Sequence, residues 1–283
     1  MNQKQFFFST IIVLLMTTLF ANSVMGQQSW TEVQAKGKGT LTVYVQEEYP
    51  FAFYQNNELV GIEIDILNQF VKWVELRYGV SLEIAMTTEH EFFKVYDAVR
   101  QQENILGAAS ITITKERKNE VDFTTPYLRN KSVLVSSLNY PTLTRYNDFP
   151  NYFEAATAVV IRETTHEDEL MEIKALHFPE MQVKYVWATD ELHDALKTNV
   201  DYFTMVDLLT FWSWVRNGDM GMKIHRIATA EKEQFAFAVS PGSDWKLVMD
   251  EFLNGGFGFS STEDYLEILS SYLSEEVISE VKN

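Results

Sequence analysis

The sequence predicts an α/β protein made of two lobes, each built on a mostly parallel sheet. Strand-like apolar runs alternate with helical segments, an order typical of parallel sheets with helices on their faces. This alternation occurs over residues 40–110 and again over residues 157–206. A chain of 283 residues is long enough for two modest domains. Two such lobes facing each other would form a ligand cleft at the carboxyl ends of their strands.

The first α/β unit follows from its local patterns. Residues 40–46 (TLTVYVQ) predict a strand, and Asn56 and Asn57 favour a turn after a second extended piece, FAFY. Residues 65–78 carry apolar side chains near helical spacing, and Gly79 is placed to end that helix. The unit continues with the strand VSLEIAM, a helix over residues 91–102 and the strand ILGAAS.

The second unit repeats the pattern. Residues 157–161 predict a strand, which leads through Thr164 and Thr165 into an acidic helix that starts at His166. The unit continues with the strand MQVKYVW, the helix DELHDALKTN and the strand VDYFTMV. The repeat is the reason for expecting two lobes rather than one large sheet.

Residues 110–127, SITITKERKNEVDFTTPY, read as a site for a small anion, most simply a carboxylate. Ser110 and Thr112 lie on the same side of an extended segment, so both hydroxyls can face one ligand. Arg117 offers a planar guanidinium that can bind a carboxylate through two parallel hydrogen bonds. Thr114 favours a helix N-terminus, where free N–H groups also attract an anion. The alternative is that both hydroxyls satisfy backbone groups and Arg117 is solvated.

The run SITITKER, followed by VDF and TPY, resembles the signature of family 3 extracellular solute-binding proteins, the polar amino-acid receptors of ABC importers. The resemblance covers nearly all of the chain after its leader. It implies the two-lobed fold of type II periplasmic binding proteins, with Ser110, Thr112 and Arg117 holding the ligand's carboxylate. It also implies that the chain crosses between lobes near residues 132–135 and 234–236.

The two crossings divide the chain after the leader. Lobe 1 is then discontinuous, with residues 27–133 and 236–283, and lobe 2 consists of residues 134–235. Each lobe would supply one wall of the cleft, and the crossings would act as a hinge.

The leader, residues 1–26, has the plan of a secretory signal peptide. Lys4 precedes a long apolar run, and small residues follow it. We expect cleavage near Gly26, although the length of the apolar run leaves an uncleaved anchor as an alternative. No cysteine follows this run, so a lipid-anchored lipoprotein is excluded. The expected location is therefore periplasmic or secreted.

Lobe 2 supplies further ligand candidates through the resemblance. The family usually has a Gly-Thr-Thr turn where this chain has Glu163, Thr164 and Thr165, and that turn binds the same carboxylate. Replacement of the glycine by Glu163 leaves the turn geometry open. The family position that holds the ligand's α-amino group corresponds to Asp207, and an acid at a strand's end is suited to an ammonium. Helix capping is the alternative role for Thr165 and for Asp207.

Aromatic residues are expected along the cleft walls. The resemblance implies that Tyr49, in the first turn after a strand, and Phe92, at the start of a helix, stack on the ligand's side chain. Aromatic residues make up 14% of the chain, so core packing is the alternative for each of them.

Composition argues for binding rather than catalysis. The net charge of −17 argues against nucleic acid as a partner. With no cysteine in the chain, a thiol nucleophile is excluded. The five histidines are scattered without metal-ligand spacing, and no hydrolase or metalloprotease motif is present. We expect no enzymatic activity, no metal and no cofactor.

The sequence therefore predicts a monomeric binding protein that closes on an amino acid or a related small carboxylate. Its expected partner is a membrane permease of an ABC-type uptake system. Two alternatives remain open from the sequence: a sensory or cell-wall-related binding module, and a dehydratase built on the same fold. The side-chain specificity of the ligand also remains open.

Overall fold

This computed structural model describes residues 27–218, 221–225, 233–256 and 258–282. The predicted signal segment, residues 1–26, lies outside the described residues. The first group of elements is α1 (Trp30–Lys36), β1 (Lys38–Gln46), β2 (Phe53–Gln55), β3 (Glu58–Val60), α2 (Ile62–Tyr78), β4 (Ser81–Glu89), α3 (Phe92–Gln101), β5 (Ile105–Thr112), β6 (Asp122–Phe123) and β7 (Leu128–Asn130).

A second group follows along the chain. It comprises β8 (Ser132–Ser137), α4 (Phe149–Phe153), β9 (Thr157–Ile161), α5 (Thr165–His177), β10 (Gln182–Val186), α6 (Thr189–Thr198), β11 (Tyr202–Asp207), α7 (Leu208–Arg216) and β12 (Met222–His225). The last elements are β13 (Glu233–Val239), α8 (Trp245–Asn254), α9 (Glu263–Tyr272) and α10 (Glu275–Val281).

The first large sheet has the strand order β4–β1–β5–β13–β6, and β7 also pairs with β13. Strand β1 runs parallel to both β4 and β5, so Thr42 lies between Ala85 and Ile105. Strand β13 runs antiparallel to β5, β6 and β7. The predicted order β, α, β, α, β is confirmed, and the late strand β13 is inserted beside β5.

The second large sheet has the order β10–β9–β11–β8–β12. Strand β9 runs parallel to β10 and β11, and Thr157 lies between Gln182 and Tyr202. Strand β8 is antiparallel to both β11 and β12. The prediction of a two-lobed α/β fold is therefore confirmed.

Sheet membership changes at two places in the chain. Strands β7 and β8 belong to different sheets, so the first crossing lies at Lys131. The return crossing lies between His225, in β12, and Glu233, in β13. The whole of β8 is thus in the second sheet and the whole of β13 in the first. The lobe boundaries given above stay a prediction.

Both sheets are covered by helices on both faces. In the first sheet, β5 is buried along its whole length, as expected for a central strand with helices on both faces. One face packs against Phe70 of α2 and Tyr265 of α9, and the other against Val95 and Val99 of α3. Helices α4 and α5 cover one face of the second sheet, and α6 and α7 cover the other. None of the helices in the described ranges is both long and apolar enough to span a bilayer.

Helix α2 begins earlier than the apolar periodicity predicts. Gly61 has a φ of 138°, and a Cβ atom there would lie 2.2 Å from the carbonyl oxygen of Phe51. The helix starts directly after this close approach, at Ile62, so Glu63 stands in its first turn. It ends at Gly79, which has the predicted left-handed conformation with a φ of 67°.

Candidate functional site

A cavity lies at the carboxyl ends of β1, β5, β9 and β11, between the two large sheets. Its empty volume is about 460 Å³, including its opening to solvent. The part of the chain that precedes the first crossing contributes Gln46, Glu48, Phe92, Ala109, Ser110, Thr112 and Arg117. The second sheet and its helices contribute Ile161, Thr164, Thr165, His166, Thr189, Val206, Asp207 and Thr210.

Ser110 and Thr112 reach the cavity from the end of β5, and Ser110 is held there by a buried carboxyl group. Ser110 has a φ of 44°, which is unusual for a residue other than glycine. Its N–H donates to Glu63 Oε1 at 3.0 Å, and the Tyr127 hydroxyl donates to the same oxygen at 2.5 Å. Burial raises the pKa of Glu63 to about 7. This acceptor fixes the strained backbone at Ser110.

Arg117 lies in a short 3-10 turn and extends into the cavity. Its N–H donates to Thr114 Oγ1 at 3.1 Å, although the N-cap of this turn is Glu116 rather than Thr114. Its Nη1 donates to the carbonyl of Thr112 at 3.1 Å. The guanidinium lies 4.8 Å from the ring centre of Phe92 and 5.5 Å from that of Tyr96. Burial lowers the pKa of Arg117, so an anion near it would relieve a desolvated charge.

Thr164 and Thr165 stand on the opposite wall, where β9 leads into α5. Thr164 is the N-cap: its Oγ1 accepts from the Glu167 N–H at 3.4 Å, and its hydroxyl donates to Ile161. Thr165 is the first residue of the helix and lines the cavity beside it. Glu163 keeps the turn, with a φ of 62°, although it is not glycine. Its backbone is therefore strained, and the residue is exposed.

Asp207 ends β11 and lines the cavity. Its side chain makes no capping hydrogen bond to α7, so the alternative role of a helix cap is not seen in this structure. Instead, Asn130 Nδ2 donates to Asp207 Oδ1, and His166 Nε2 lies 3.4 Å from the same oxygen. The side chains of His166 and Asp207 are each 12% exposed. Burial lowers the pKa of His166, but the nearby Asp207 outweighs it and raises that pKa to about 9.

His166, Asp207 and Glu233 also bring three potential ligand atoms within 4.8 Å of one another. Asn130 Nδ2 lies 3.3 Å from Glu233 Oε2, which ties this carboxyl group to the same cluster. Burial, followed by the charge of Asp207, raises the pKa of Glu233 to about 7. A neutral imidazole and two carboxylates at this spacing would suit a divalent cation, whereas the raised pKa of His166 favours its protonated form, which leaves the two carboxylates as partners for an ammonium group.

Glu48 and Gln46 also line the cavity, although neither is among the predicted site residues. The Thr210 hydroxyl donates to Glu48 Oε1 at 2.9 Å, and Thr189 makes a second side-chain hydrogen bond to this carboxyl group. Burial, followed by the charge of Asp207, raises the pKa of Glu48 to about 7. Gln46 is 3% exposed. The missed signal was the period-two alternation of a strand end, which places Gln46 and Glu48 on one side.

The prediction that Tyr49 contacts the ligand is not supported by its position in the structure, because Tyr49 does not line the cavity. Its hydroxyl donates to the carbonyl of Tyr272 at 3.2 Å and accepts from Arg216 Nη1 at 2.5 Å. Its ring packs 4.8 Å from that of Phe53. The physical reason is that Tyr49 lies in the turn after β1, where these contacts hold its side chain against Tyr272, Arg216 and Phe53.

The other predicted site residues come together in this one cavity. Phe92 lines the cavity beneath the Arg117 guanidinium and is 7% exposed, so it also serves as core. Ser110, Thr112, Thr165 and Asp207 line the same space, although they lie far apart in the sequence. Their roles in ligand binding stay predictions.

Comparisons with known proteins agree with this architecture. The family model of the bacterial extracellular solute-binding proteins, family 3, matches residues 41–223. A probable histidine-binding protein of Campylobacter jejuni is 25% identical over 144 residues. That alignment spans 50% of this chain and 54% of the relative, so about half the length of each is compared.

The fold is shared with many solved structures, among them the following two. An ancestral arginine-binding protein bound to arginine has a TM-score of 0.68 at 22% identity, covering 83% of this chain and 99% of its own. An ancestral amino-acid-binding protein, described as a precursor of cyclohexadienyl dehydratase, has a TM-score of 0.65 at 19% identity. It covers 86% of this chain and 98% of its own. Because the family match extends over more than half of the sequence, the protein belongs to family 3 of the bacterial extracellular solute-binding proteins.

Proposed function

We propose that this protein binds an amino acid in the cavity between its two sheets. Arg117 would hold the ligand's carboxylate, helped by the hydroxyls of Ser110, Thr112 and Thr165. Asp207 would hold the α-amino group. The observation that carries the proposal is the placement of a buried guanidinium in the same cavity as a carboxyl group on the facing lobe. The pair suits both ends of a zwitterion.

Binding would favour the closed arrangement of the lobes, because a ligand contacts both walls only when they are together. Several contacts already join the lobes, among them a hydrogen bond and an aromatic pair at the cleft. Thr210 of α7 donates to Glu48, and the ring of Phe93 lies 5.2 Å from that of Trp187. A ligand that bridges Arg117 and Asp207 would add its binding energy to these contacts.

The closed form is the species that we propose a membrane permease recognises, in an ABC-type uptake system. The family is extracellular, and the relatives described above are named for binding histidine and arginine. These observations support uptake of an amino acid from outside the cytoplasm. Co-purification with a permease encoded beside this gene would separate uptake from a sensory or cell-wall-related role.

Substitution of Arg117 tests the proposal directly. The protein is unfolded and refolded to remove carried-over ligand, and amino acids are titrated by calorimetry. We expect Arg117→Ala to weaken the binding of any amino acid by about 100-fold or more, because a buried charged partner is lost. Lys118→Ala is the matched control, since Lys118 is an exposed cation in the same turn. Unchanged affinity in Arg117→Ala would remove the carboxylate assignment.

A second experiment separates binding from catalysis. Glu48 and His166 are titratable groups in the cavity with shifted pKa values, and such groups can act as acid and base. One structural neighbour is described as a dehydratase precursor. After long incubation with the protein, we expect the bound amino acid to be recovered unchanged by mass spectrometry. Loss of water from the ligand would favour the dehydratase alternative.

A further inference from the structure

A cluster of four polar side chains lies beside the two chain crossings, at the edge of the cavity. Asn130 ends β7 before the first crossing, and Glu233 begins β13 after the second. These two residues lie opposite each other in the pairing of β7 with β13. His166 of α5 and Asp207 of β11 reach the same place from the second lobe. We call these four residues the crossing cluster, and both lobes contribute to it.

Three of the four side chains bring metal-ligand atoms close together. One ring nitrogen of His166 and one carboxylate oxygen each of Asp207 and Glu233 lie within 4.8 Å of one another. His166 Nε2 and Asp207 Oδ1 are 3.4 Å apart. Two ligands bound about 2.1 Å from a tetrahedral zinc ion are about 3.4 Å apart, so this pair already has the required spacing. A small rotation of the Glu233 side chain would complete a three-ligand set.

Buried polar atoms without a partner lie at the same place. Asn130 is 1% exposed, and its Nδ2 donates to Asp207 and lies 3.3 Å from Glu233 Oε2. The oxygen of this amide, Oδ1, has no hydrogen-bond partner among the described residues, and neither has His166 Nε2. Buried polar atoms of this kind cost free energy unless a donor, a water or a cation meets them. Rotation of the Asn130 amide would turn its oxygen toward a cation held by the two carboxylates.

The crossing cluster also carries more acidic than basic groups. Asp207 and Glu233 lie near the carboxyl group of Glu169, and His166 is the base among them. Burial lowers the pKa of His166, but Asp207 and the other carboxyl groups outweigh it and raise that pKa to about 9. A proton on the imidazole thus supplies positive charge to these carboxylates. A divalent cation among the same ligands would replace the proton and supply one further positive charge.

We propose that the crossing cluster binds a divalent transition-metal ion of the zinc class through His166, Asp207 and Glu233. A mixed imidazole and carboxylate set suits such an ion better than Mg²⁺ or Ca²⁺, which prefer oxygen ligands alone. Asp207 would contact the ion through Oδ1, the oxygen nearest His166, which leaves its second oxygen for another partner. Because the ligands come from both lobes, the bound ion would join the lobes beside the crossings.

The test titrates metal ions into the tag-free chain after treatment with a chelator, with no amino acid present. ZnCl₂ is titrated by calorimetry and MgCl₂ serves as the comparison. The visible absorption of bound CoCl₂ reports the coordination geometry. The variants are Glu233→Gln and His166→Gln, with His90→Gln as the matched control. His90 is exposed and its Nδ1 lies 3.6 Å from Glu47 Oε2, so it reports adventitious binding at a surface histidine beside an acid.

We expect one Zn²⁺ per chain, bound about 10-fold or more tightly than Mg²⁺. Each substitution in the crossing cluster should weaken Zn²⁺ binding by about 100-fold or more, since loss of even an outer partner of a metal ligand costs about 10- to 100-fold. His90→Gln should keep the parent's affinity. Circular dichroism and the Tm confirm that each variant is folded. The two cluster variants change different lobes, so either one decides the question if the other fails to fold.

Three results would overturn the assignment of this metal site. One is a parent protein that binds no stoichiometric Zn²⁺. Another is Zn²⁺ binding that keeps the parent's affinity in a folded Glu233→Gln or His166→Gln variant. The last is loss of binding in His90→Gln, which would assign the ion to the surface. Titration of amino acids into the metal-free protein is a separate measurement, so the proposed function stands or fails independently of the metal site.

Discussion

At the scale of single residues, Glu63 shows how a group outside the cavity can shape it. Its side chain is fully buried, 0% exposed, and accepts hydrogen bonds from Ser110 and Tyr127. Its second oxygen has no hydrogen-bond partner among the described residues. The carboxyl group therefore stabilises the left-handed backbone of Ser110, and burial makes its own ionisation costly.

Ionisation of Glu63 should lower the stability of the folded protein as the pH rises. Burial raises its pKa from the ordinary 4.5 to about 7 in the folded state, so the native state binds more protons between those pH values. The free energy of unfolding should fall through this window by on the order of 3 kcal/mol from this group. We expect Glu63→Gln to remove this contribution to the decrease in the free energy of unfolding with pH.

Urea denaturation of both proteins at pH 4.5 and pH 8 measures the difference. Glu48 and Glu233 also have pKa values raised to about 7, and their contribution is common to both proteins. The comparison therefore isolates Glu63. Equal pH dependence in parent and variant would show that the carboxyl group is not held in the environment described.

At the scale of elements, the start of α5 keeps a glycine-type turn without glycine. Glu163 has a φ of 62°, and its N–H donates to Glu167 Oε2 at 2.8 Å. Thr164 caps the helix, and Thr165 then faces the cavity. The helix N-terminus is therefore positioned for an anion at the cost of backbone strain in the preceding residue.

Glu163→Gly should stabilise the protein, because glycine adopts this conformation without steric strain. The strain amounts to about 1–2 kcal/mol, and the added flexibility of the unfolded chain offsets about 0.5–1 kcal/mol of it. We expect a net gain of about 0.5–1 kcal/mol in the free energy of unfolding by urea denaturation. Glu180→Gly, in an exposed turn without positive φ, is the control and should be destabilising. Destabilisation by Glu163→Gly would contradict the inference that the backbone at Glu163 is strained.

At the scale of the whole molecule, closure joins two sheets whose side chains meet at the cleft. Phe93 of α3 packs on Trp187, which follows β10, and Trp187 is 41% exposed. The contact lies outside the cavity lining. It therefore stabilises the closed arrangement without touching the ligand.

Phe93→Ala should weaken the binding of all ligands by one common factor. An aromatic pair contributes about 0.5–1.5 kcal/mol, so the expected loss of affinity is about two- to tenfold. The order of preference among ligands should stay unchanged, because this pair lies outside the cavity lining. Tyr54→Ala, at an exposed tyrosine of β2, is the control. A change of selectivity in Phe93→Ala, measured by calorimetry, would place Phe93 at the ligand instead.

Much of the fold is readable from local patterns. The alternation of strands and helices predicted both sheets, and Asn56 and Asn57 adopt the left-handed turn expected of them, with φ values of 52° and 66°. The pairing of β13 with β5 was beyond such patterns, since Phe235 lies opposite Thr112 across a long stretch of chain. Pairing between distant strands depends on the whole sheet rather than on local propensity.

The candidate site divides in the same way. Ser110, Thr112 and Arg117 lie close together in the sequence, and their side-chain chemistry already indicates an anion site. The docking of the two lobes brings Asp207 to Asn130, which is 77 residues away, and Thr210 to Glu48, which is 162 residues away. Tertiary contacts with Tyr272 and Arg216 also decide that Tyr49 does not line the cavity. The sequence by itself thus determines the local chemistry of the site. Which charges meet across the cleft is decided by packing between distant segments, because no local pattern fixes the distance between them.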